Sequence, residues 1–235
     1  MDDFIIIGGG IAGVSVAALL SKYAKVTLLE AEENLGYHAS GRSAAIFIKD
    51  YGNESVKALT YLSSEYLEQE NGGVLSGRGL LLLAGKEDKD NFVSEYRQLG
   101  MEEISTSLAS KKIPLLNRSS INKAAFREDV FDIDTDQLFQ NFLKQALKNG
   151  VDIKRNSAVS RINYNKKNWT VVTSHEEFSS KILINAAGAW VDRIALLAGI
   201  SPLKFSPCRR SMARVPVPGD YNPKYWRGTL GVNEK

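Results

Sequence analysis

FIIIGGGIAG, residues 4–13, opens the chain with a continuous apolar run that leads directly into three glycines. Such a run is typical of a strand that is buried on both faces of a parallel sheet. A helix from about Ile11 to Lys22 follows, and Val26–Leu29 forms a second apolar strand. Because few residues separate these elements, the right-handed crossover rule predicts that the two strands are parallel neighbours. The sequence therefore predicts a βαβ unit at residues 4–30.

The glycines of this unit fit the G-x-G-x-x-G pattern at Gly8, Gly10 and Gly13. Gly8 permits the tight turn, Gly10 lets the backbone approach a pyrophosphate, and Gly13 lets the helix pack close to the sheet. The N–H groups at the helix N-terminus suit phosphates. Glu30 ends the second strand, where a carboxylate can accept both ribose hydroxyls and would repel the 2′-phosphate of NADP; the alternative is a solvated acid. This pattern predicts a dinucleotide site but does not distinguish NAD from FAD.

The elements that follow predict an α/β fold (α+β overall) with an interrupted first domain. Helical patterns occur at about residues 54–70, 86–99 and 136–148, a hairpin pattern at 159–173, and a buried strand at 181–184; the chain after Gly199 is predicted to be β-rich. We expect a Rossmann-like nucleotide-binding domain at residues 1–74 and 132–200. A β-rich substrate domain, incomplete at its C-terminus, is expected at residues 75–131 and 201–235.

Composition excludes several classes of protein. The 235 residues carry 30 Lys and Arg against 27 Asp and Glu, a net charge of +3 that gives no support to nucleic-acid binding. Cys208 is the single cysteine, so an intramolecular disulfide is impossible and no metal site is expected. No apolar run approaches the ~18 residues of a membrane span. Asp2 and Asp3 follow Met1, where a signal peptide would have basic residues. A cytoplasmic protein is therefore expected.

A long loop of small residues, GYHASGRSAA at 36–45, follows Glu30 where a plain NAD domain would have a short connection. Three further motifs are DIDTD at 132–136, NAAGAW at 185–190 and PCRRS at 207–211. With these four motifs in order, the chain resembles the D-amino-acid oxidase family of FAD-dependent oxidoreductases. Within that family it is most similar to the D-arginine dehydrogenases, and the likeness runs through the whole chain.

The resemblance implies that FAD is the cofactor. It places one stretch of the long loop along the pyrophosphate and the isoalloxazine ring: Ser40, Gly41, Arg42, Ser43, Ala44 and Ala45. It places the backbone of Val159 at adenine, and it makes a second flavin-facing turn of Ala187, Gly188 and Trp190. Ile11, Ala12 and Ala31, which adjoin the glycine pattern and Glu30, belong to the same predicted contacts. Two alternatives stay open, a structural ion pair for Arg42 and a core position for Trp190.

For the substrate, the resemblance implies that Arg210 binds the carboxylate through its two-pronged guanidinium and that Tyr51 closes over the bound molecule. Tyr51 could instead be a half-buried core residue. Ile46 stands where the family's relative has an active-site histidine, and Leu80 where it has an acid for a basic substrate. Both exchanges make the pocket apolar, and an unpaired buried guanidinium is costly. An apolar D-amino acid is therefore expected rather than D-arginine.

The implied reaction removes the Cα hydrogen of the substrate as hydride to flavin N5, and the resulting imino acid hydrolyses in water. No catalytic base is predicted, and the electron acceptor stays open between oxygen, a quinone and another carrier. His38 and His175 are expected to be structural and solvated, respectively. Glycine, sarcosine or a 2-hydroxy acid are alternative substrates. Because family members continue further, this chain is expected to be a fragment, and a non-catalytic nucleotide-binding fragment is the last alternative.

Overall fold

The computed structural model describes residues 1–85, 89–209, 211, 216–222, 226 and 229–232. The chain has a mixed α/β fold with two compact units, which are Met1–Ala44 with Thr135–Ser211 (unit 1) and Ala45–Asp134 with Met212–Lys235 (unit 2). In chain order the elements are β1 (Asp2–Ile7), α1 (Ile11–Leu20), β2 (Val26–Leu29), β3 (Ile46–Phe47), α2 (Glu54–Gln69), β4 (Leu75–Gly77), β5 (Leu80–Ala84), α3 (Lys89–Gln98), β6 (Glu102–Ile104), α4 (Thr106–Lys112), β7 (Lys123–Arg127), β8 (Phe131–Ile133), α5 (Thr135–Lys148), β9 (Asp152–Lys154), β10 (Val159–Tyr164), β11 (Trp169–Thr173), β12 (Glu177–Asn185), α6 (Val191–Leu197) and β13 (Thr229–Val232).

Unit 1 is built on a six-stranded sheet in the order β10-β11-β12-β1-β2-β9. The strands β12, β1, β2 and β9 are parallel, and the hairpin β10–β11 extends the sheet in antiparallel fashion from β12. Ile5 and Ile6 in the central strand are fully buried, as a strand covered on both faces requires. The predicted parallel βαβ unit and the predicted hairpin are both confirmed.

Helices cover this sheet through small and apolar side chains. α1 packs against α5 and buries Val14, Ala17 and Ala18, whose small volumes allow a close approach to the sheet. Ile194 of α6 packs into a separate cluster with Ile5, Ile7, Leu29, Ile162 and Val171. At the carboxyl ends of the parallel strands, only three residues separate the end of β1 from the start of α1, and ligands bind at this edge in open α/β sheets.

Unit 2 contains two smaller sheets, ordered β13-β5-β7-β6 and β3-β8-β4. The central strand β5 is apolar on both faces because alternate side chains point to opposite sides. Leu80 and Leu82 pack with Phe92 of α3, whereas Leu81 packs with Ala109 of α4. The sheet is therefore covered by one helix on each face.

The boundaries of the units differ from the predicted ones at 74, 131 and 200. Unit 1 ends at Ala44, resumes at Thr135 and continues to Ser211. The reason is strand pairing: Ile46 pairs with Asp132 and Phe47 with Phe131, so residues after 44 join unit 2. The apolar periodicity of α2 carries no information about which unit the helix joins.

The stretch at 201–209 contains no strand, which differs from the prediction of a β-rich chain after Gly199. Pro202 and Pro207 lack the N–H that a strand ladder needs. The backbone N–H groups of Leu203 and Phe205 instead donate to the carboxylate of Asp192, at 3.1 and 2.9 Å. The Asp192 carboxylate, at the start of α6, therefore accepts the hydrogen bonds that the carbonyl groups of a neighbouring strand would otherwise accept.

Arg127 is the centre of an ion network in unit 2. Its side chain is 9% exposed and makes two hydrogen bonds to Asp129, one to Asp50 at 2.7 Å and one to the Leu99 carbonyl at 2.8 Å. The Tyr61 hydroxyl donates to the second oxygen of Asp50. Hydrogen bonds from Tyr61 and Arg127 lower the pKa of Asp50, and that from Arg127 lowers the pKa of Asp129. The network therefore connects four separate segments of unit 2.

We expect Arg127→Gln to lower the free energy of unfolding by about 2 kcal/mol, because several charge-assisted hydrogen bonds are lost. Thermal unfolding monitored by circular dichroism measures this, and the exposed Arg118→Gln is the matched control. The unfolded pKa of Asp is about 3.9, and the folded values are lower, so the contribution is complete above about pH 5 and is lost as the pH falls through the folded values. A stability difference that does not shrink at acid pH would contradict this role.

Candidate cofactor-binding site

The turn after β1 is held by contacts that only glycine permits. Gly8 has a φ of +111°, and its N–H donates to the Leu29 carbonyl at 2.8 Å. A Cβ on Gly13 would lie 1.8 Å from the carbonyl oxygen of Gly8, and a Cβ on Gly8 would lie 2.4 Å from that of Ala186. Both distances are below any real contact of a side chain. The absence of these side chains therefore lets α1 and the turn after β12 meet at the first turn.

Glu30 is fixed at the end of β2 by four hydrogen bonds. Its carboxylate accepts from the Gly9 N–H at 2.7 Å and from the Glu32 N–H at 2.9 Å. Its backbone N–H donates to the Lys154 carbonyl, and its carbonyl accepts from Ser157, each at 2.8 Å. An ionised carboxylate has about four acceptor positions, so those not used by Gly9 and Glu32 can accept ribose hydroxyls.

The N-terminus of α1 has the chemistry of an anion site. Gly10 is its cap residue in extended conformation, no side chain of its own caps the helix, and the first turn holds no acid. The Ser40 hydroxyl accepts from the Ile11 N–H at 2.9 Å and, as a hydroxyl, can still donate to a phosphate oxygen. The helix dipole adds partial positive charge at the same place. Ala12, in the same turn, is exposed.

The loop at 36–42 folds compactly over this helix end. The Gly36 N–H donates to the Gly9 carbonyl at 2.9 Å, and the Gly41 N–H donates to the Gly36 carbonyl at 2.8 Å. A 3₁₀ turn spans Ala39–Arg42. The Arg42 guanidinium lies 5.3 Å from the centre of the Tyr37 ring, and its Nε donates to the Tyr37 carbonyl at 3.3 Å. The loop is thus an ordered element attached to the first glycine turn.

The second predicted turn, which follows β12, is ordered by Asn185. Its side-chain amide donates to the Val191 carbonyl at 2.8 Å and accepts from the Ala187 N–H at 3.3 Å. Gly188, at a φ of +53°, then starts a 3₁₀ turn that ends at Trp190. The Trp190 side chain is 44% exposed, so the alternative of a core aromatic is wrong. Asn185 was missed as a site residue, although an asparagine at a strand end is a signal for such a cap.

Besides the ring of its neighbour Tyr37, whose centre lies 5.0 Å away, His38 contacts two side chains of unit 1 that local sequence patterns do not predict. Its Nε2 lies 3.0 Å from the carboxylate of Glu32, and its ring centre lies 4.6 Å from that of Trp190. The loop residue is thereby connected to the segment after β2 and to the turn after β12. His175, by comparison, lies in the turn between β11 and β12 and is exposed.

The remaining predicted cofactor residues lie at element ends. Val159 begins β10 at a β-bulge, and its side chain packs on the core of unit 1. Ala31 is exposed directly after Glu30, and Ser43 and Ala44 are exposed at the end of the loop. Ala45 belongs to unit 2 and has a φ of +59°, which is strained for a residue with a side chain.

The predicted substrate residues that the structure describes all lie in unit 2. Leu80 is 6% exposed inside the apolar core, and the half-buried Ile46 packs against the same cluster. Tyr51 is 60% exposed, so it is not a half-buried core tyrosine. Arg210 lies outside the described residues. The structure thus groups Ile46 with Leu80 and leaves the Tyr51 ring accessible.

A family model described as FAD dependent oxidoreductase (DAO) matches residues 3–231. The chain belongs to this family of FAD-dependent oxidoreductases. FAD is therefore its cofactor. The donor set of unit 1 fits this group, because a fixed carboxylate, an acid-free helix end and two turns at one sheet edge suit an extended dinucleotide.

Individual relatives of this FAD-dependent chain are distant. It is 26% identical over 237 residues to the mitochondrial L-2-hydroxyglutarate dehydrogenase of Caenorhabditis elegans, covering 93% of this chain and 53% of that protein. The L-α-glycerophosphate oxidase of Mycoplasma pneumoniae with FAD bound has a TM-score of 0.74 at 24% identity, over 84% of this chain and 57% of that one. Glycine oxidase of Geobacillus kaustophilus has a TM-score of 0.72 at 20% identity, over 85% and 59%. The chain spans about half the length of the curated relatives that it matches.

Two further features are absent from the part of the chain that the structure describes. No helix there is both long enough and apolar enough to cross a membrane. The same residues contain no group of three or more His, Cys, Asp or Glu side chains that could hold a metal ion.

We expect Gly13→Ala to abolish measurable FAD binding and to destabilise unit 1, because its Cβ would overlap the Gly8 carbonyl oxygen. Flavin-fluorescence titration and thermal unfolding measure the two effects. Gly77→Ala is the matched control, since a Cβ at that glycine meets no atom within 4 Å. Unchanged FAD affinity in Gly13→Ala would show that the cofactor does not use this turn.

Proposed function

We propose that this chain carries the FAD-binding part and a portion of the substrate-binding part of an oxidoreductase that converts a D-amino acid with an apolar side chain to the imino acid. The observation that carries the cofactor half of this proposal is the meeting of three segments in unit 1. The glycine turn after β1, the loop at 36–42 and the turn after β12 are connected by direct contacts, with Glu30 fixed beside them.

In this proposal each segment holds a different part of FAD. Glu30 binds the ribose hydroxyls, and the N-terminus of α1 with Ser40 binds the pyrophosphate. The end of the loop and the turn at Ala187–Trp190 face the isoalloxazine ring. When bound, FAD supplies the acceptor for the hydride that leaves the substrate Cα.

The chain's own residues orient the substrate for this transfer. Arg210 binds the substrate carboxylate by two parallel hydrogen bonds, which fixes the position of the neighbouring Cα. Tyr51, whose ring is exposed, closes over the substrate and reduces its contact with water. No side chain is assigned as a base, because an amine that arrives unprotonated needs none.

The preference for an apolar side chain is supported by features of unit 2. The half-buried Ile46 is aliphatic, whereas Leu80 is 6% exposed and packs inside the core, which argues against a direct contact with the substrate. Asp132, which pairs with Ile46 across the β3–β8 ladder, already binds the guanidinium of Arg78 at 2.7 Å. The charge of Asp132 is therefore already balanced by Arg78 and does not offer a partner to a cationic substrate such as D-arginine. The cost of removing the substrate guanidinium from water would then not be compensated.

A second candidate function is oxidation of a hydroxyl-bearing carbon. The observation that favours it is the 26% identity with a protein named L-2-hydroxyglutarate dehydrogenase. A 2-hydroxy acid has the same carboxylate and the same Cα hydrogen, so Arg210 could bind it in the same way. The fold likeness to glycine oxidase keeps glycine and sarcosine as further amine substrates.

An anaerobic flavin-reduction screen separates these candidates. The FAD-loaded protein is mixed with apolar D-amino acids, D-arginine, glycine, sarcosine and 2-hydroxy acids, and the loss of visible flavin absorption is recorded. We expect apolar D-amino acids to reduce the flavin fastest. Reduction by 2-hydroxy acids alone would establish the second candidate, and a bound flavin that no compound reduces would indicate a non-catalytic nucleotide-binding chain.

We expect Arg210→Met to lower kcat/KM for a carboxylate-bearing substrate by about 100-fold, which corresponds to the loss of a two-point charged contact. Steady-state kinetics with the best substrate of the screen measure this. Arg209→Met is the matched control, because Arg209 is the exposed neighbour and is assigned no substrate contact. Equal losses in both variants would remove Arg210 from the substrate site.

A further inference from the structure

His38 lies where three segments of unit 1 come together. It belongs to the loop at 36–42, its Nε2 is 3.0 Å from Glu32 after β2, and its ring centre is 4.6 Å from that of Trp190 after β12. Because an ionised carboxylate can only accept, Nε2 carries the proton in the contact with Glu32. Both the edge and the face of one imidazole are therefore used.

The other contacts of the loop at 36–42 are made with the first glycine turn and the start of α1. Gly36 bonds to Gly9, and Ser40 bonds to Ile11, so these two residues attach the loop to the first glycine turn. The ring contact of His38 with Trp190 attaches the same loop to the second turn. A hydrogen bond joins Glu32 to Glu30 as well, which extends the series of contacts to the proposed ribose carboxylate.

We propose that His38 is a positioning residue for FAD, which holds the loop at 36–42 against the Glu32 carboxylate and the Trp190 indole. This inference rests on the proposed placement of FAD in unit 1. It assigns to His38 a task that the loop glycines do not perform, which is to hold the loop at 36–42 against the turn at Ala187–Trp190. Preorganised turns bind more tightly, because less of the binding free energy is spent on ordering them.

A histidine suits this position for two physical reasons. The flat ring can pack against an indole while a ring N–H donates at its edge. The side chain also has few rotatable bonds, so holding it in one orientation costs little conformational entropy. Alanine would remove both contacts, whereas glutamine would keep a donor for Glu32 and lose the ring.

The test is a fluorescence titration of FAD into the apoprotein for wild type, His38→Ala, His38→Gln and His175→Ala. We expect His38→Ala to weaken FAD binding about tenfold, because alanine removes the aromatic contact with Trp190 and the hydrogen bond to Glu32. His38→Gln should recover part of that loss. His175→Ala replaces an exposed histidine of the β11–β12 turn and should bind FAD as wild type does.

Two readouts separate positioning from simple structural support. The melting temperature of the apoprotein should be the same in His38→Ala and His175→Ala, while the visible circular dichroism of bound flavin should change in His38→Ala alone. With Glu32→Ala measured as well, the double variant His38→Ala/Glu32→Ala should weaken FAD binding by less than the sum of the two single losses, because both changes remove one shared contact.

The outcomes distinguish this inference from the proposed function. Wild-type affinity in His38→Ala would overturn the role of His38 and leave the FAD site intact. A loss of affinity matched by an equal loss of apoprotein stability would also overturn it. Failure of the wild-type protein to bind FAD at all would overturn both the inference and the proposed function.

Discussion

The contact between α1 and the carbonyl oxygen of Gly8 is the constraint on which the cofactor site depends. Because Gly13 has no side chain, the helix can begin directly at the edge of the sheet, where its first N–H groups have no acceptors within the helix. The same turn is tight enough for Ala186 to lie against Gly8, so the segment after β12 reaches the same place. A larger residue at either glycine would separate the helix end from the second turn.

Charge within each unit is arranged for a different purpose. In unit 1 the carboxylate of Glu30 is held by backbone N–H groups, which leaves a fixed acceptor beside a helix end of opposite polarity. In unit 2 the charges of Arg127, Asp129 and Asp50 face one another and bind segments of the unit together. The first arrangement keeps hydrogen-bonding capacity for a ligand, and the second uses that capacity within the protein.

Local patterns predicted the parts of the fold that depend on neighbouring residues. The βαβ unit, the hairpin at 159–173 and the end of β2 directly before Glu30 follow from apolar periodicity and glycine spacing. Contacts between distant segments left no such signal, as with His38 and Trp190, or Arg127 and Asp50. Periodicity was also a poor guide to burial in α2, where the apolar Leu59 and Leu62 are 64% and 81% exposed. A helical pattern states which side chains share a face, but it does not state what that face meets.

The position of β12 in the chain has a consequence for synthesis on the ribosome. β1 lies between β2, which follows it closely, and β12, which ends at Asn185. Until that residue has emerged, the nascent chain holds β1 with one edge unpaired and its isoleucines partly uncovered. Most of unit 2 is made in the interval and can fold by its own contacts. Assembly of the central sheet must therefore wait for a late pairing across a long loop, which is slow and exposes the chain to aggregation.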